Sequence, residues 1–150
     1  MRITLESDYA LRILSALATH SEIVDAKTLA DETSVTINFT LKILRKLVAC
    51  NLVKSYKGVK GGYSLSIPPQ NITLKQVIEQ IEYDNEVKDY AKTYSNMKAK
   101  EAAAIFDTMG DDLQLVADIL LNMSANSRAA ILGKMDPEIA AKVTAIMNPN

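Results

Sequence analysis

The stretch Thr36-Ile37-Asn38-Phe39-Thr40-Leu41-Lys42-Ile43-Leu44-Arg45-Lys46-Leu47-Val48-Ala49-Cys50, running on through Asn51-Leu52-Val53-Lys54-Ser55-Tyr56-Lys57-Gly58-Val59-Lys60-Gly61-Gly62-Tyr63-Ser64-Leu65-Ser66-Ile67, decides how this chain is read. Ile37, Leu41, Leu44 and Val48 return at helical spacing, which predicts a helix to about Cys50 with those four inward and Thr36 as its cap. Its other side carries Asn38, Lys42, Arg45 and Lys46, at i, i+4, i+7 and i+8. Asn51–Tyr56 then reads as a strand, and Tyr63–Ile67, alternating apolar with polar, as its return. Between them Lys57-Gly58-Val59-Lys60-Gly61-Gly62 sets three glycines and two lysines in a tight loop, so the hairpin has a basic, backbone-rich tip.

Outward from this stretch the pattern stays helical. Ser7–His20 places Ala10, Ile13, Leu14 and Leu17 on one face, and Asp25 caps a short helix to about Thr33 with Ala26, Leu29 and Ala30 inward. Pro68-Pro69 ends the hairpin. Thr73 with Gln76 then forms a capping box for a further helix, with Leu74, Val77, Ile78 and Ile81 inward. Two short helices joined by a tight turn, the second basic outside, followed by a hairpin, make a winged helix-turn-helix.

The net charge of −1 hides a local asymmetry. Between Glu32 and Glu79 there is no acid, while Lys42, Arg45, Lys46, Lys54, Lys57, Lys60 and Lys75 all fall in that gap. A locally basic, acid-free surface suits a polyanion, because each neutralised phosphate releases a condensed counterion. The gap coincides with the helix and hairpin above, which points to double-stranded DNA, with the glycine-rich tip able to approach the backbone or enter a minor groove. Thr36, Asn38, Phe39, Lys42, Arg45, Lys46, Lys54, Lys57, Gly58, Lys60, Gly61 and Gly62 are the candidate contacts.

These residues also carry a family resemblance. Tyr9-Ala10-Leu11-Arg12, Asn38-Phe39, Leu44-Arg45-Lys46-Leu47, Leu52-Val53-Lys54-Ser55, Lys57-Gly58-x-x-Gly61-Gly62-Tyr63-x-Leu65 and Pro68-x-x-x-Ile72-Thr73-Leu74-x-x-Val77-Ile78 resemble the IscR/NsrR-type winged-helix regulators, the Rrf-two family, over residues 1–82. The resemblance implies a homodimeric repressor reading a palindromic operator. Many members hold an iron–sulfur cluster on three cysteines beyond the wing. This chain has Cys50 alone, so no cluster and no other cofactor is expected. Cys50, at the recognition helix's end, reads as a buried structural thiol, and His20 as a helix-end partner.

After Glu82 the texture changes, which predicts a boundary between a DNA-binding domain at 1–85 and a helical linker and repeat at 86–150. Tyr83, Val87, Tyr90, Tyr94 and Met97 recur at helical spacing, the start of a linking helix. Met97, Met109, Met123, Met135 and Met147 then close short apolar runs, followed by the breaks Gly110-Asp111-Asp112, Ser124-Ala125-Asn126, Asp136-Pro137 and Asn148-Pro149. The expectation is an array of short helices with methionine as adaptable core packing, and a mainly α chain in which the hairpin is the β element. Residues 94–147, with Met135-Asp136-Pro137-Glu138-x-Ala140-Ala141, resemble the N-terminal helical domain of MgtE-type magnesium transporters and the MotE-like flagellar chaperones. That likeness raises magnesium at Asp107, Asp111, Asp112 and Asp118, though exposed acids more simply solvate a helix, and an apolar-rich helical array on a DNA-binding domain suits self-association or a protein partner.

One histidine and one cysteine cannot supply a nucleophilic triad, and the wing glycines precede no phosphate-binding helix, so an enzyme is not expected. No apolar run approaches the roughly twenty residues of a membrane span. Met1-Arg2-Ile3-Thr4-Leu5-Glu6 does not read as a signal peptide, so a cytoplasmic protein is expected. The alternative to a regulator is an adaptor or chaperone whose helical repeat docks a membrane or flagellar partner.

Overall fold

The computed structural model describes residues 3–149; Met1 and Arg2 of the N-terminal stretch read above lie outside the described residues, as does Asn150. The chain forms α1 (Leu5–Thr19), α2 (Ala26–Thr33), α3 (Ile37–Ala49), β1 (Val53–Tyr56), β2 (Gly62–Leu65), α4 (Leu74–Ser95), α5 (Ala99–Asp107), α6 (Leu113–Leu121), α7 (Ala125–Leu132) and α8 (Pro137–Met147). It is mostly helical with one antiparallel hairpin, the fold class read from the sequence. Contacts divide it into two compact units, Met1–Asp84 and Asn85–Asn150, the division falling within α4.

In the first unit Thr4 caps α1, its hydroxyl accepting from the Ser7 backbone N–H. Ala10, Ile13, Leu14 and Leu17 are buried, the stripe their spacing predicts. Asp25 caps α2 by accepting from the Thr28 N–H. The turn into α3 runs through Ser34 in the left-handed region (φ 55°), which lets the Val35 N–H reach back to the Ala30 carbonyl at 3.1 Å while Val35 is buried.

The inward face of α3 differs from the expected one. Thr40, Ile43, Leu44 and Leu47 are buried, whereas Ile37 is 42% exposed and Leu41 and Val48 are half-buried. Apolar residues occur on so many positions of this helix that two stripes are open to it, and packing on both α1 and α2 centres the buried one on Ile43–Leu47. Thr36 occupies the cap position but makes no side-chain cap hydrogen bond.

Asn51, read as the start of a strand, instead ends the helix: it is left-handed (φ 59°), and the Leu52 N–H donates to the Leu47 carbonyl at 3.0 Å. The hairpin pairs Val53 with Leu65, Lys54 with Ser64, Ser55 with Tyr63 and Tyr56 with Gly62. Val24, between α1 and α2, adds a bridge that the sequence did not indicate. Its N–H donates to the Tyr63 carbonyl at 2.9 Å, and the Tyr63 N–H returns to the Val24 carbonyl at 2.8 Å. Thr73 caps α4 by accepting from the Gln76 N–H at 3.1 Å. Val77, Ile78 and Ile81 are buried on that helix, but Leu74, expected inward, is 55% exposed in its first turn.

The second unit gathers the end of α4 and four short helices. α6 packs on α8 and α5 on α7. Asp112, Ser124 and Asp136 cap α6, α7 and α8, and Pro137 takes the first position of α8, where its missing N–H costs nothing. Phe106 is fully buried, its ring centre 4.8 Å from that of Tyr94 in an edge contact. Met123 and Met135 are buried, and Met97, Met109 and Met147 pack against the same cluster.

Candidate nucleic-acid interface

The exposed side of α3 carries Thr36, Asn38, Phe39, Lys42 and Arg45. Lys42 stands over Phe39, its Nζ 5.7 Å from the ring centre, and Phe39 meets Tyr9 edge-on at 5.8 Å. Lys46 does not belong to this side. Its side chain is 5% exposed and pairs with Glu6 from the first turn of α1, because the turned helix carries position 46 toward the core. Glu6 also pairs with Lys42. The acid-free gap in the sequence is thus entered in space by a carboxylate from another element.

On the wing, Lys54, Lys57, Gly58 and Lys60 are exposed and Gly61 and Gly62 half-exposed. Of the three glycines, Gly58 needs its freedom for dihedral reasons (φ 104°), while Gly62 is pressed so close to Val24 that a Cβ would lie 2.4 Å from its carbonyl oxygen. Val59, at the apex, projects wholly into solvent, although no pattern in the sequence marks it out. Glu6 was missed as well, since nothing along the chain ties it to lysines dozens of residues away.

The remaining candidates have local duties. His20 follows α1, and its Nε2 lies 3.0 Å from Glu32. Cys50, expected buried, is half-buried at the end of α3 with Asp84 Oδ2 4.0 Å from its Sγ; the αL turn at Asn51 leaves it at the margin of the core. Asp107 accepts from the Asp136 N–H at 3.0 Å, Asp112 caps α6, and Asp118 accepts from Gln114.

The arrangement is therefore a helix-turn-helix whose outward helix face and glycine-tipped wing present polar and basic groups in one folded unit. The family of regulators described as Rrf2, iron-dependent transcriptional regulator, matches residues 3–126. The chain belongs to the Rrf2 family. Curated relatives include the HTH-type transcriptional regulator NsrR of Bacillus licheniformis, 35% identical over 56% of this chain and 60% of its own length. NsrR of Bacillus subtilis is 30% identical over 56% of this chain and 59% of its own length. This Rrf2 chain spans about three fifths of these relatives. Among solved structures, CymR, the global cysteine regulator of B. subtilis, superposes with a TM-score of 0.51 at 25% identity, covering 55% of this chain and 65% of its own. T. potens IscR gives the same TM-score at 24% identity, covering 54% of this chain and 61% of its own, and shows the fold alone. The relatives are transcriptional regulators, not enzymes.

The family's description names iron, and the donor set here does not fit a thiolate-held cluster. Such a cluster takes several cysteines, the sequence has one, and among the described residues no three His, Cys, Asp or Glu side chains gather closely enough to share a metal. No described helix is long and apolar enough to cross a membrane.

Proposed function

We infer that this chain is a sequence-specific DNA-binding transcriptional regulator, a repressor acting in the cytoplasm as a homodimer and without an iron–sulfur cluster. One observation carries the reading: Asn38 and Arg45 on α3 and Lys57 and Lys60 on the wing are exposed on one folded unit of an Rrf2 chain. Asn38 and Arg45 have the donor geometry for base edges, and the wing lysines for phosphates. The second unit supplies self-association or a protein partner's docking surface. The likeness of residues 94–147 to the MgtE-type helical domain supports such a packing role more than magnesium binding, since Asp107 and Asp112 are already engaged in capping helix starts.

The test is fluorescence anisotropy of the full chain on duplexes selected from a random library. Affinity should fall linearly with salt on logarithmic axes, and K57A/K60A should make that slope shallower by about 1.8, two phosphate contacts at about 0.9 each. Asn38→Ala should relax the selected sequence instead. Failure to bind any duplex at low salt would sink the reading.

A further inference from the structure

Glu6 spans two lysines of the recognition helix with one carboxylate, Oε1 on Lys42 and Oε2 on Lys46. Glu6 is 18% and Lys46 5% exposed, so the contact is partly dry and stronger than its counterpart on an open surface. Lys42, by contrast, is 51% exposed, on the face that carries Asn38 and Arg45.

The chain that carries Glu6 is tied down on both sides. At the cap of α1 and in its first turn, the Thr4 and Ser7 hydroxyls both donate to Glu82 Oε1 on α4, at 2.8 and 2.9 Å, and Ser7 is wholly buried. Phe39, fixed against Tyr9, confines Lys42 from a second direction.

We propose that Glu6 is a specificity-determining residue that competes with DNA phosphates for Lys42. The proposal rests on the DNA-binding reading above. A phosphate that draws Lys42 must take it from a carboxylate already in position. Sequence-independent binding therefore gains little from this lysine, while the base-edge donors Asn38 and Arg45 stay available for the right sequence. With the carboxylate neutralised, Lys42 joins the electrostatic attraction that every duplex exerts.

Salt titrations of the full chain on a mixed-sequence duplex test this. Lys42→Met, shown folded by circular dichroism, should alter the wild-type slope little; a slope shallower by about 0.9 would show Lys42 already on a phosphate and overturn the competition. Glu6→Gln should bind the same duplex more tightly, with a slope steeper by about 0.9, so that its advantage over wild type shrinks about 3.5-fold between about 50 and about 200 mM salt. Because Glu6→Gln leaves Lys46 buried without its carboxylate, E6Q/K46M is compared with K46M in parallel, each shown folded by circular dichroism. Equal slopes within both pairs overturn the proposal while the DNA reading stands. A wild type that binds no duplex overturns both.

Discussion

Gly62→Ala tests how the wing is fastened to the helices. A Cβ at Gly62 would sit 2.4 Å from the Val24 carbonyl oxygen, 2.7 Å from its carbon and 2.9 Å from Ile23 Cγ2. Two of those three atoms are backbone, so no side-chain rotation relieves the clash. Val24 must move away, and with it go the two hydrogen bonds to Tyr63 at 2.9 and 2.8 Å. Two backbone hydrogen bonds contribute about 0.5–1.5 kcal/mol each and overpacking costs about 1–3, so the substitution should cost roughly 2–6 kcal/mol. Two further glycines calibrate the result. Gly58 has open space around a missing Cβ but a φ of 104°, so Gly58→Ala meets backbone strain alone, about 1–3 kcal/mol. Gly110 meets nothing and is not in the left-handed region, and Gly110→Ala should fall within about 0.5 kcal/mol of wild type. Urea denaturation gives the totals, and amide exchange at Val24 and Tyr63 reads the bridge itself. If Gly62→Ala costs under about 1 kcal/mol and both amides keep their protection, the bridge is not what anchors the wing, and the reasoning fails.

Thr40 Oγ1 is buried with no hydrogen-bond partner among the described residues, so Thr40→Val should hold or raise the melting temperature, by up to about 1 kcal/mol of added stability, and a clear loss would reveal a partner for the hydroxyl. Phe106→Ala removes a fully buried ring and its contact with Tyr94; about 3–5 kcal/mol should disappear, seen as lost amide protection along α5 and α6, and preserved protection there would refute its place in that core. The Thr28 backbone N–H, and then its hydroxyl, donate to Asp25 and hold its carboxyl below the ordinary aspartate value of 3.8. A depressed carboxyl pKa means its contribution to α2 is fully present above the unfolded value and fades as pH falls through the folded one, so carbon-detected NMR should place the Asp25 midpoint below 3.8, and a midpoint above it would contradict the cap.

How far the fold could be read depended on how unambiguous each helix was. In α1 the stripe Ala10, Ile13, Leu14 and Leu17 keeps helical spacing on one face, and although Leu5, Leu11, Ala16 and Ala18 are apolar too, the four of that stripe are the buried ones. In α3 both 37/41/44/48 and 40/43/44/47 are allowed, and the second contains a threonine, so pattern reading chooses the first. Burial follows the second because α1 and α2 approach from that side, and it draws the polar Thr40 and Lys46 inward with it. Short-range signals fared better: Asp25, Thr73, Asp112 and Asp136 act on backbone two or three residues away, and each caps the helix it precedes. The Val24 bridge had no such local signal, since a single pair of hydrogen bonds imposes no alternation on the sequence.

The same distinction runs through the interface. The glycine and lysine composition of the wing is written in consecutive residues, and the wing lysines are exposed as that composition suggests. The charge of α3 is not, because it depends on an acid from α1. Read along the chain, Lys42 and Lys46 lie deep in an acid-free stretch; in space both meet Glu6. On the proposed DNA-binding reading, electrostatic attraction for any duplex falls mainly to the exposed Lys54, Lys57 and Lys60, which do not pair with that carboxylate, while α3 keeps exposed Asn38 and Arg45 for the bases. A basic stretch in sequence is therefore two surfaces in the fold, one whose charge is open to phosphate and one whose charge is partly held back. On that proposed reading, the second surface should decide which DNA sequence is preferred.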